Sequence, residues 1–184
     1  MNEIEIIKKF QNWDKEVFSE LYNEYIDKIY KFVYLKTYQK ELAEDLTSEI
    51  FFKALKNLEK FDTEKKDTSF KSWIYRIAHN RVIDFYRTKK EEISIENALE
   101  KWEEINFWKN LDEKEKIKEV LKFLETLKTE HKDILIMRLW EGFSYKEIAE
   151  VTWKSEDNCK KIVSRSIVKI NQNITLLVTF LVFS

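Results

Sequence analysis

Apolar residues between positions 18 and 87 recur at spacings of three and four, the period that gathers side chains on one face of an α-helix. Such runs lie at 18–33, 42–58 and 70–87, and polar residues separate them. Ser69 stands directly before the last run, where a serine can cap the helix N-terminus. The residues predicted to face a core are Phe18, Leu21, Tyr22, Tyr25, Ile29, Phe32, Val33, Leu46, Ile50, Ala54, Leu58, Phe70, Trp73, Ile74, Ile77 and Phe85.

The helical period fades after residue 88 and returns from residue 117. One helix is predicted to end at Gly142, because glycine tolerates the left-handed conformation that closes many helices. Ser144 and Glu147 have the spacing of a capping box, which starts the next helix. A longer helix is predicted from Ser155 onward.

These two groups of helices predict an all-α fold of two small helical domains, at 10–90 and 113–173. An acidic linker at 91–112 joins them. The remaining residues, 174–184, form an apolar tail. A ten-residue helix reaches only about 15 Å, roughly half a bilayer core, so the tail should not span a membrane. It is expected either to pack on the chain's own helices or to bind a partner, which would be another protein or a membrane surface.

The composition supports helices and excludes most enzyme classes. The chain has one glycine and no proline, whereas β-folds and phosphate-binding loops need several such residues. One cysteine and two histidines exclude cysteine-rich zinc sites, and no catalytic constellation is present. We therefore expect no enzyme activity, no metal, no cofactor and no small-molecule substrate.

The charges are segregated although the net charge is only −1. Basic residues dominate 65–90, acidic residues dominate 91–119, and basic residues dominate again from 154 to 169. This layout suits a protein with separate surfaces for nucleic acid and for protein. The lone cysteine and the polar first residues, which lack a secretory signal, indicate a cytoplasmic protein.

Two of the predicted helices carry residues that are candidates for binding. Asp45, Glu49, Phe52 and Lys56 form their own stripe on the second helix. The third helix mixes aromatic side chains with arginines, a combination that can hold phosphates and stack on bases: Trp73, Tyr75, Arg76, Arg81, Phe85, Tyr86 and Arg87.

The C-terminal helices have the spacing of a helix-turn-helix, in which the second helix enters the DNA major groove. Ile148 and Ala149 would face Cys159, Ile162 and Val163. The polar residues of the second helix are then left for DNA, with the first three of them at its N-terminus: Ser155, Asp157, Asn158, Lys160, Lys161, Arg165 and Lys169.

Three stretches resemble the extracytoplasmic-function (ECF) type of RNA polymerase sigma factor. The stretch LKTEHKDILIMRLWEGFSYKEIAEVTWKSEDNCKKIVSRSIVKI, from Leu127 to Ile170, resembles the promoter-binding fourth region of that family. AEDLTSEIFFKAL, from Ala43 to Leu55, resembles the second region, which docks on the polymerase clamp. FKSWIYRIAHNRVIDFYR, from Phe70 to Arg87, resembles the adjoining segment that melts and reads the minus-ten element.

The resemblance implies a protein that binds core RNA polymerase and directs promoter recognition and DNA melting. It assigns polymerase binding to Asp45, Ser48, Glu49 and Phe52. It assigns the minus-ten element to Phe61, Ser69, Trp73, Arg76, Asn80, Arg81 and Arg87. It assigns the minus-thirty-five element to Ser155, Asp157, Asn158, Lys160, Lys161, Arg165 and Lys169. Core polymerase and promoter DNA are the implied partners, and an anti-sigma factor is a further candidate.

The chain departs from the family at several of these positions. Ser48 stands where glutamine is usual. Trp153 occupies the turn position where a helix-turn-helix usually has glycine, and Lys154 follows in a normally apolar slot. Because a left-handed residue other than glycine costs about 1–2 kcal/mol, we expect this turn to be reshaped.

Alternatives remain beside these assignments. A stand-alone helix-turn-helix regulator would explain residues 144–170 without polymerase docking, and a helical scaffold would bind proteins only. Trp73 is read first as a core residue, Cys159 as a small buried hydrophobe, and His79 and His131 as surface residues.

Overall fold

The computed structural model describes residues 2–65, 69–89, 122–124 and 126–171. The predicted linker at 91–112 and the apolar tail at 174–184 lie outside these residues. The chain divides into two compact units, Met1–Ile93 and Ser94–Ser184. Within the described ranges all regular secondary structure is helical, so the all-α prediction is confirmed.

The described residues of the first unit form four α-helices and two short 3₁₀ turns. The helices are α1 (Glu3–Gln11), α2 (Phe18–Thr37), α3 (Lys40–Asn57) and α4 (Phe70–Lys89). The 3₁₀ turns are Lys15–Val17 and Leu58–Lys60. Helix α3 packs against both α2 and α4. The apolar runs predicted at 18–33, 42–58 and 70–87 therefore correspond to α2, α3 and α4.

The core of the first unit lies between these three helices. Its fully buried side chains include Leu21, Ile29, Phe32, Leu46, Ile50, Phe70, Ile74 and Tyr75. The Tyr75 ring meets the Phe32 ring edge-on, with centroids 5.2 Å apart. Tyr75 is therefore a core residue, and the interpretation of its ring as a base-stacking group is wrong.

Helix α1 was not predicted from the apolar pattern, and most of it precedes the 10–90 range proposed for the first domain. Asn2 and Glu5 form a capping box at its start. Its apolar side, Ile6, Ile7 and Phe10, is buried.

The far end of α1 is tied to the segment that follows α3. The side-chain amide of Gln11 donates hydrogen bonds to the carbonyls of Leu58, Glu59 and Phe61, at 3.2, 3.2 and 2.8 Å. Helix α1 is thus an integral part of the first unit.

The second unit contains α5 (Thr129–Leu139), α6 (Tyr145–Thr152) and α7 (Glu156–Asn171). Helix α7 packs on both α5 and α6. The Ser144 hydroxyl accepts from the Glu147 amide at 3.2 Å, and the Glu147 carboxylate accepts from the Ser144 amide at 2.7 Å. This confirms the predicted capping box. Gly142 has a φ of 63°, as expected of the glycine that follows α5.

The turn between α6 and α7 differs from the prediction. Trp153 has φ 58° and ψ 31°, so it adopts the left-handed conformation that the glycine of such a turn adopts. Its side chain is 74% exposed, so the bulky ring has room in solvent and only the backbone is strained. The expectation of a reshaped turn was wrong, because the flanking helices impose the ordinary geometry on a residue that disfavours it.

Candidate protein and nucleic-acid interfaces

An exposed stripe on α3 carries the residues predicted to bind polymerase. Four residues of this stripe are exposed: Asp45, Ser48, Glu49 and Phe52. The last three follow Asp45 by three, four and seven positions, spacings that lie on one face of a helix. The Phe52 side chain is 58% exposed although it is a large apolar group. Lys56 lies beside it, with Nζ 4.1 Å from the ring centroid. We call Asp45, Ser48, Glu49 and Phe52 the α3 stripe.

The polar residues of the α3 stripe differ in their hydrogen bonds and ion pairs. The Ser48 hydroxyl donates to the Glu44 carbonyl at 3.0 Å, so it is turned back onto its own helix. Asp45 makes no ion pair with any residue that the structure describes. Glu49 is held by α4, because the Arg81 guanidinium Nε donates to its Oε2. The structure thus joins two residues that the sequence assigned to different partners.

Two aromatic residues predicted at the minus-ten surface pack on each other. The ring centroids of Phe61 and Trp73 are 5.4 Å apart and nearly perpendicular, and Phe70 lies 5.6 Å from Trp73 on another side. Phe61 is buried, whereas Trp73 is half-buried. The Phe61 ring is therefore a packing contact of Trp73 in this structure, not an exposed group that could meet a base.

Ser69 has a structural part as the cap of α4, because its hydroxyl accepts from the Ser72 amide at 3.0 Å. The predicted capping role is confirmed, and it orients the first turn of α4. Tyr86, near the other end of α4, donates to the Lys36 carbonyl at 3.0 Å, and burial raises its pKa to about 12. Both contacts fix α4 within the first unit.

Four of the residues predicted for the minus-ten element share one side of α4, and Arg81 is not among them. Trp73, Arg76, Asn80 and Arg87 are separated by three, four and seven positions, spacings that recur on one helical face. Arg76 and Asn80 are half-buried, and Arg87 is exposed. The Arg87 guanidinium lies 3.0 Å from the Asp84 carboxylate, one turn earlier on the same helix.

Helix α7 separates a buried face from an exposed face. Cys159, Ile162 and Val163 are buried against the unit, and burial raises the pKa of the Cys159 thiol. Ile148 of α6 is buried as well, while Ala149 is half-buried. The residues predicted to meet the minus-thirty-five element are all exposed: Ser155, Asp157, Asn158, Lys160, Lys161, Arg165 and Lys169.

The cations of α7 are not equivalent. Lys160 Nζ lies 3.6 Å from Asp157 and 3.9 Å from Glu156, so carboxylates of the first turn partly neutralise its charge. Lys161, Arg165 and Lys169 form no ion pair within the described residues and repeat every four positions. They are the cations of α7 best placed to meet phosphates. The sequence alone did not separate them from Lys160.

Sequence reasoning missed an apolar extension of the α3 stripe. Leu55, three residues after Phe52, is partly exposed, and so is Tyr22 of α2. Tyr22 meets Phe51 edge-on with centroids 4.9 Å apart, which brings α2 to the border of the stripe. The continued spacing from Phe52 to Leu55 was the signal that could have revealed it.

The described residues contain no cluster of histidine, cysteine, aspartate or glutamate suited to hold a metal ion. Nor do they contain a helix with the length and apolar character needed to cross a bilayer.

Family models match both units. Residues 21–92 match the model of Sigma-70 region 2, and residues 117–170 match that of Sigma-70 region 4. These matches have the same order along the chain as the α3 stripe and α4, then α7.

Curated relatives cover most of the chain. The ECF RNA polymerase sigma factor SigM of Bacillus subtilis is 30% identical over 148 residues, which are 80% of this chain and 88% of SigM. The sigma factor YlaC of the same species is 28% identical over 88% of this chain and 94% of YlaC. BldN of Streptomyces coelicolor is 26% identical over 89% of this chain, which spans 62% of BldN.

Solved structures share the fold. CnrH in complex with the cytosolic domain of CnrY superposes with a TM-score of 0.70 at 17% identity, covering 94% of this chain and 96% of CnrH. RpoE from Bartonella quintana, solved with the anti-sigma factor NepR, gives 0.64 at 18% identity, covering 82% of this chain and 92% of RpoE.

Proposed function

Because the chain belongs to the extracytoplasmic-function group of the sigma-70 family of RNA polymerase sigma factors, we propose that three of its helices divide the work of such a subunit. The α3 stripe binds core RNA polymerase. Helix α4 contacts the minus-ten element, and α7 contacts the minus-thirty-five element. The protein directs initiation and leaves RNA synthesis to the polymerase, so no catalytic residue or cofactor is assigned to it.

The α3 stripe is the observation that carries this proposal. Two exposed carboxylates and a 58% exposed phenylalanine stand on a helix whose opposite side already fills the core. An aromatic anchor beside charged groups is the usual make-up of the centre of a protein interface. Leu55 and Tyr22 add apolar area at its border. A stand-alone DNA-binding regulator, whose N-terminal domain dimerises or binds a ligand, would not need this surface to dock on polymerase.

The DNA contacts divide by chemistry. On α4, Arg76 and Arg87 supply cations, Asn80 an amide and Trp73 a half-buried ring, a set suited to an opened strand. On α7, Lys161, Arg165 and Lys169 supply phosphate contacts that are independent of sequence. Asp157 and Asn158, at the exposed N-terminus of α7, supply contacts to base edges. Ser155 caps α7, since its hydroxyl accepts from the Asn158 amide at 3.3 Å.

We also propose the cytoplasm as its compartment, where the polymerase works, and an anti-sigma factor as a regulatory partner. The complex of RpoE with NepR supports such a partner by likeness of fold alone. The exposed Phe52, Leu55 and Tyr22 support it from this chain's own surface, because uncovered apolar residues are common at regulated interfaces.

The test is reconstitution with core polymerase. Fragmented genomic DNA of the source organism is transcribed by core enzyme with and without the protein, and transcript 5′ ends are mapped. We expect discrete new 5′ ends only when both are present, and none with Asp45→Lys. The alternative of a stand-alone regulator predicts tight duplex binding without polymerase and no new 5′ ends. That pair of results would overturn the proposal.

A further inference from the structure

We propose that Arg81 is a positioning residue of the polymerase surface: it holds the Glu49 carboxylate in the α3 stripe and does not contact promoter DNA. This inference rests on the proposed function of the α3 stripe. Arg81 belongs to α4, the helix assigned to the minus-ten element, but its proposed role is in polymerase binding.

The ion pair joins two helices rather than two turns of one. Arg81 Nε, on α4, donates to Oε2 of Glu49, on α3. The Arg81 side chain is 28% exposed and that of Glu49 is 53% exposed. The arginine is therefore the more enclosed partner, lying towards the seam along which α3 and α4 pack. The carboxylate is the group that is presented to solvent.

Arg87, on the same helix, is more accessible to solvent than Arg81. Its side chain is 75% exposed, and its carboxylate partner, Asp84, belongs to α4 itself. A phosphate could approach Arg87 from solvent. To reach Arg81, a phosphate would have to displace Glu49 and approach a side chain that is only 28% exposed. The geometry thus separates the two arginines by role.

Holding Glu49 has a physical consequence for binding. A free glutamate loses rotamer freedom when it docks on a partner, and this loss weakens the complex. The planar guanidinium of Arg81 fixes the carboxylate beforehand. It engages Oε2, whereas Oε1 makes no hydrogen bond within the described residues and can accept from the polymerase. Asp45, which has no such partner, must be ordered on binding.

A double-mutant cycle on the full chain tests this role. Glu49→Gln, Arg81→Gln and the double variant are compared for affinity to core polymerase, with Arg87→Gln as the matched control on α4. We expect Arg81→Gln to weaken polymerase binding about threefold to fivefold, the range of a modest surface pair. The double variant should bind no more weakly than Glu49→Gln, because Arg81 acts only through Glu49. Arg87→Gln should leave polymerase affinity unchanged.

A second readout separates positioning from DNA contact. At saturating polymerase, Arg81→Gln should open promoter DNA as well as the unchanged protein, whereas Arg87→Gln should open it less. Impaired opening with Arg81→Gln, or effects of Glu49→Gln and Arg81→Gln that add in full, would overturn the inference but leave the α3 stripe intact. Unchanged binding by Glu49→Gln would instead remove the stripe's proposed function. If thermal unfolding shows that Arg81→Gln is misfolded, Arg81→Lys replaces it. This variant keeps the charge, and its affinity for polymerase should lie between that of the unchanged protein and that expected of Arg81→Gln.

Discussion

The ammonium of Lys154 lies 2.7 Å from Oε2 of Glu130, so an ion pair ties the turn before α7 to the start of α5. The family usually has an apolar residue at this position, so the sequence alone gave no reason for a lysine there. The structure resolves the discrepancy, because Lys154 is half-buried with its charge directed to a carboxylate. The hydrogen bond and the charge of Lys154 lower the pKa of Glu130.

Glu130→Gln should therefore lower the free energy of unfolding at pH 7 by about 0.5–1 kcal/mol, the range of an exposed pair. The lowered pKa makes this stabilisation fully present above the ordinary glutamate pKa, and it is lost as pH falls through the lowered value. The difference between the unchanged protein and the variant, followed by urea unfolding, should shrink as the pH falls below the ordinary glutamate pKa. Glu150→Gln, on α6, is the control, because this carboxylate forms no ion pair within the described residues. A difference that persists at low pH would contradict the ion-pair account.

The left-handed backbone of Trp153 predicts an unusual order of stability. In this conformation a residue other than glycine destabilises the folded state by about 1–2 kcal/mol. Glycine avoids this strain, but it lowers stability by roughly 0.4–1 kcal/mol because it makes the unfolded chain more flexible. We expect Trp153→Gly to be more stable than Trp153→Ala by about 0.5–1 kcal/mol in chemical unfolding. At Glu150, in the middle of α6, the same comparison should have the opposite sign, with glycine less stable by about 1 kcal/mol. Equal stability of both Trp153 variants would show that the turn rearranges.

Asp45 is the carboxylate of the α3 stripe that no described residue neutralises. Asp45→Lys should reduce co-purification with core polymerase at least tenfold, because it places a like charge where a complementary one docks. Asp27→Lys, an equal charge change on the exposed side of α2, should bind as before. Circular dichroism should show unchanged helix content in both. Equal losses for the two variants would indicate an effect of net charge alone.

Arg165 should contribute one phosphate contact. Replacing it with alanine should lower the slope of log affinity against log salt by about 0.9, for all upstream sequences alike. Lys160→Ala should change the slope less, since Glu156 and Asp157 already share its charge. Lys128→Ala, at the residue that precedes α5, removes an equal charge outside α7 and serves as the reference. A slope unaltered by Arg165→Ala, measured by fluorescence anisotropy with polymerase present, would contradict the assignment.

The helices were predictable where apolar spacing was long and regular. Helices α2, α3 and α4 and the capping box at Ser144 follow from local chemistry, and the structure agrees. Helix α1 is short, and its capping box of Asn2 and Glu5 was present in the sequence but overlooked. The spacing of Ile6, Ile7 and Phe10 carried the same information.

Burial within a helix was harder to predict than the helix itself. His79 is buried on α4, although its polar ring suggested the surface. Phe61 and Tyr75 are enclosed by partners distant in sequence, Trp73 and Phe32, which no local pattern names. The Glu49–Arg81 pair depends in the same way on how α3 packs against α4. Tertiary contacts of this kind override what spacing alone suggests.

The three hydrogen bonds from Gln11 can form only after the segment that follows α3 has been made. Helix α1 leaves the ribosome before α2 and α3, yet its acceptors on Leu58, Glu59 and Phe61 are made about fifty residues later. Helix α1 also packs against α2, but its contacts with the segment after α3 can form only once that segment has been made, and contacts so far apart in sequence close slowly. The docking of α1 is therefore complete only when the end of α3 and the segment that follows it are in place.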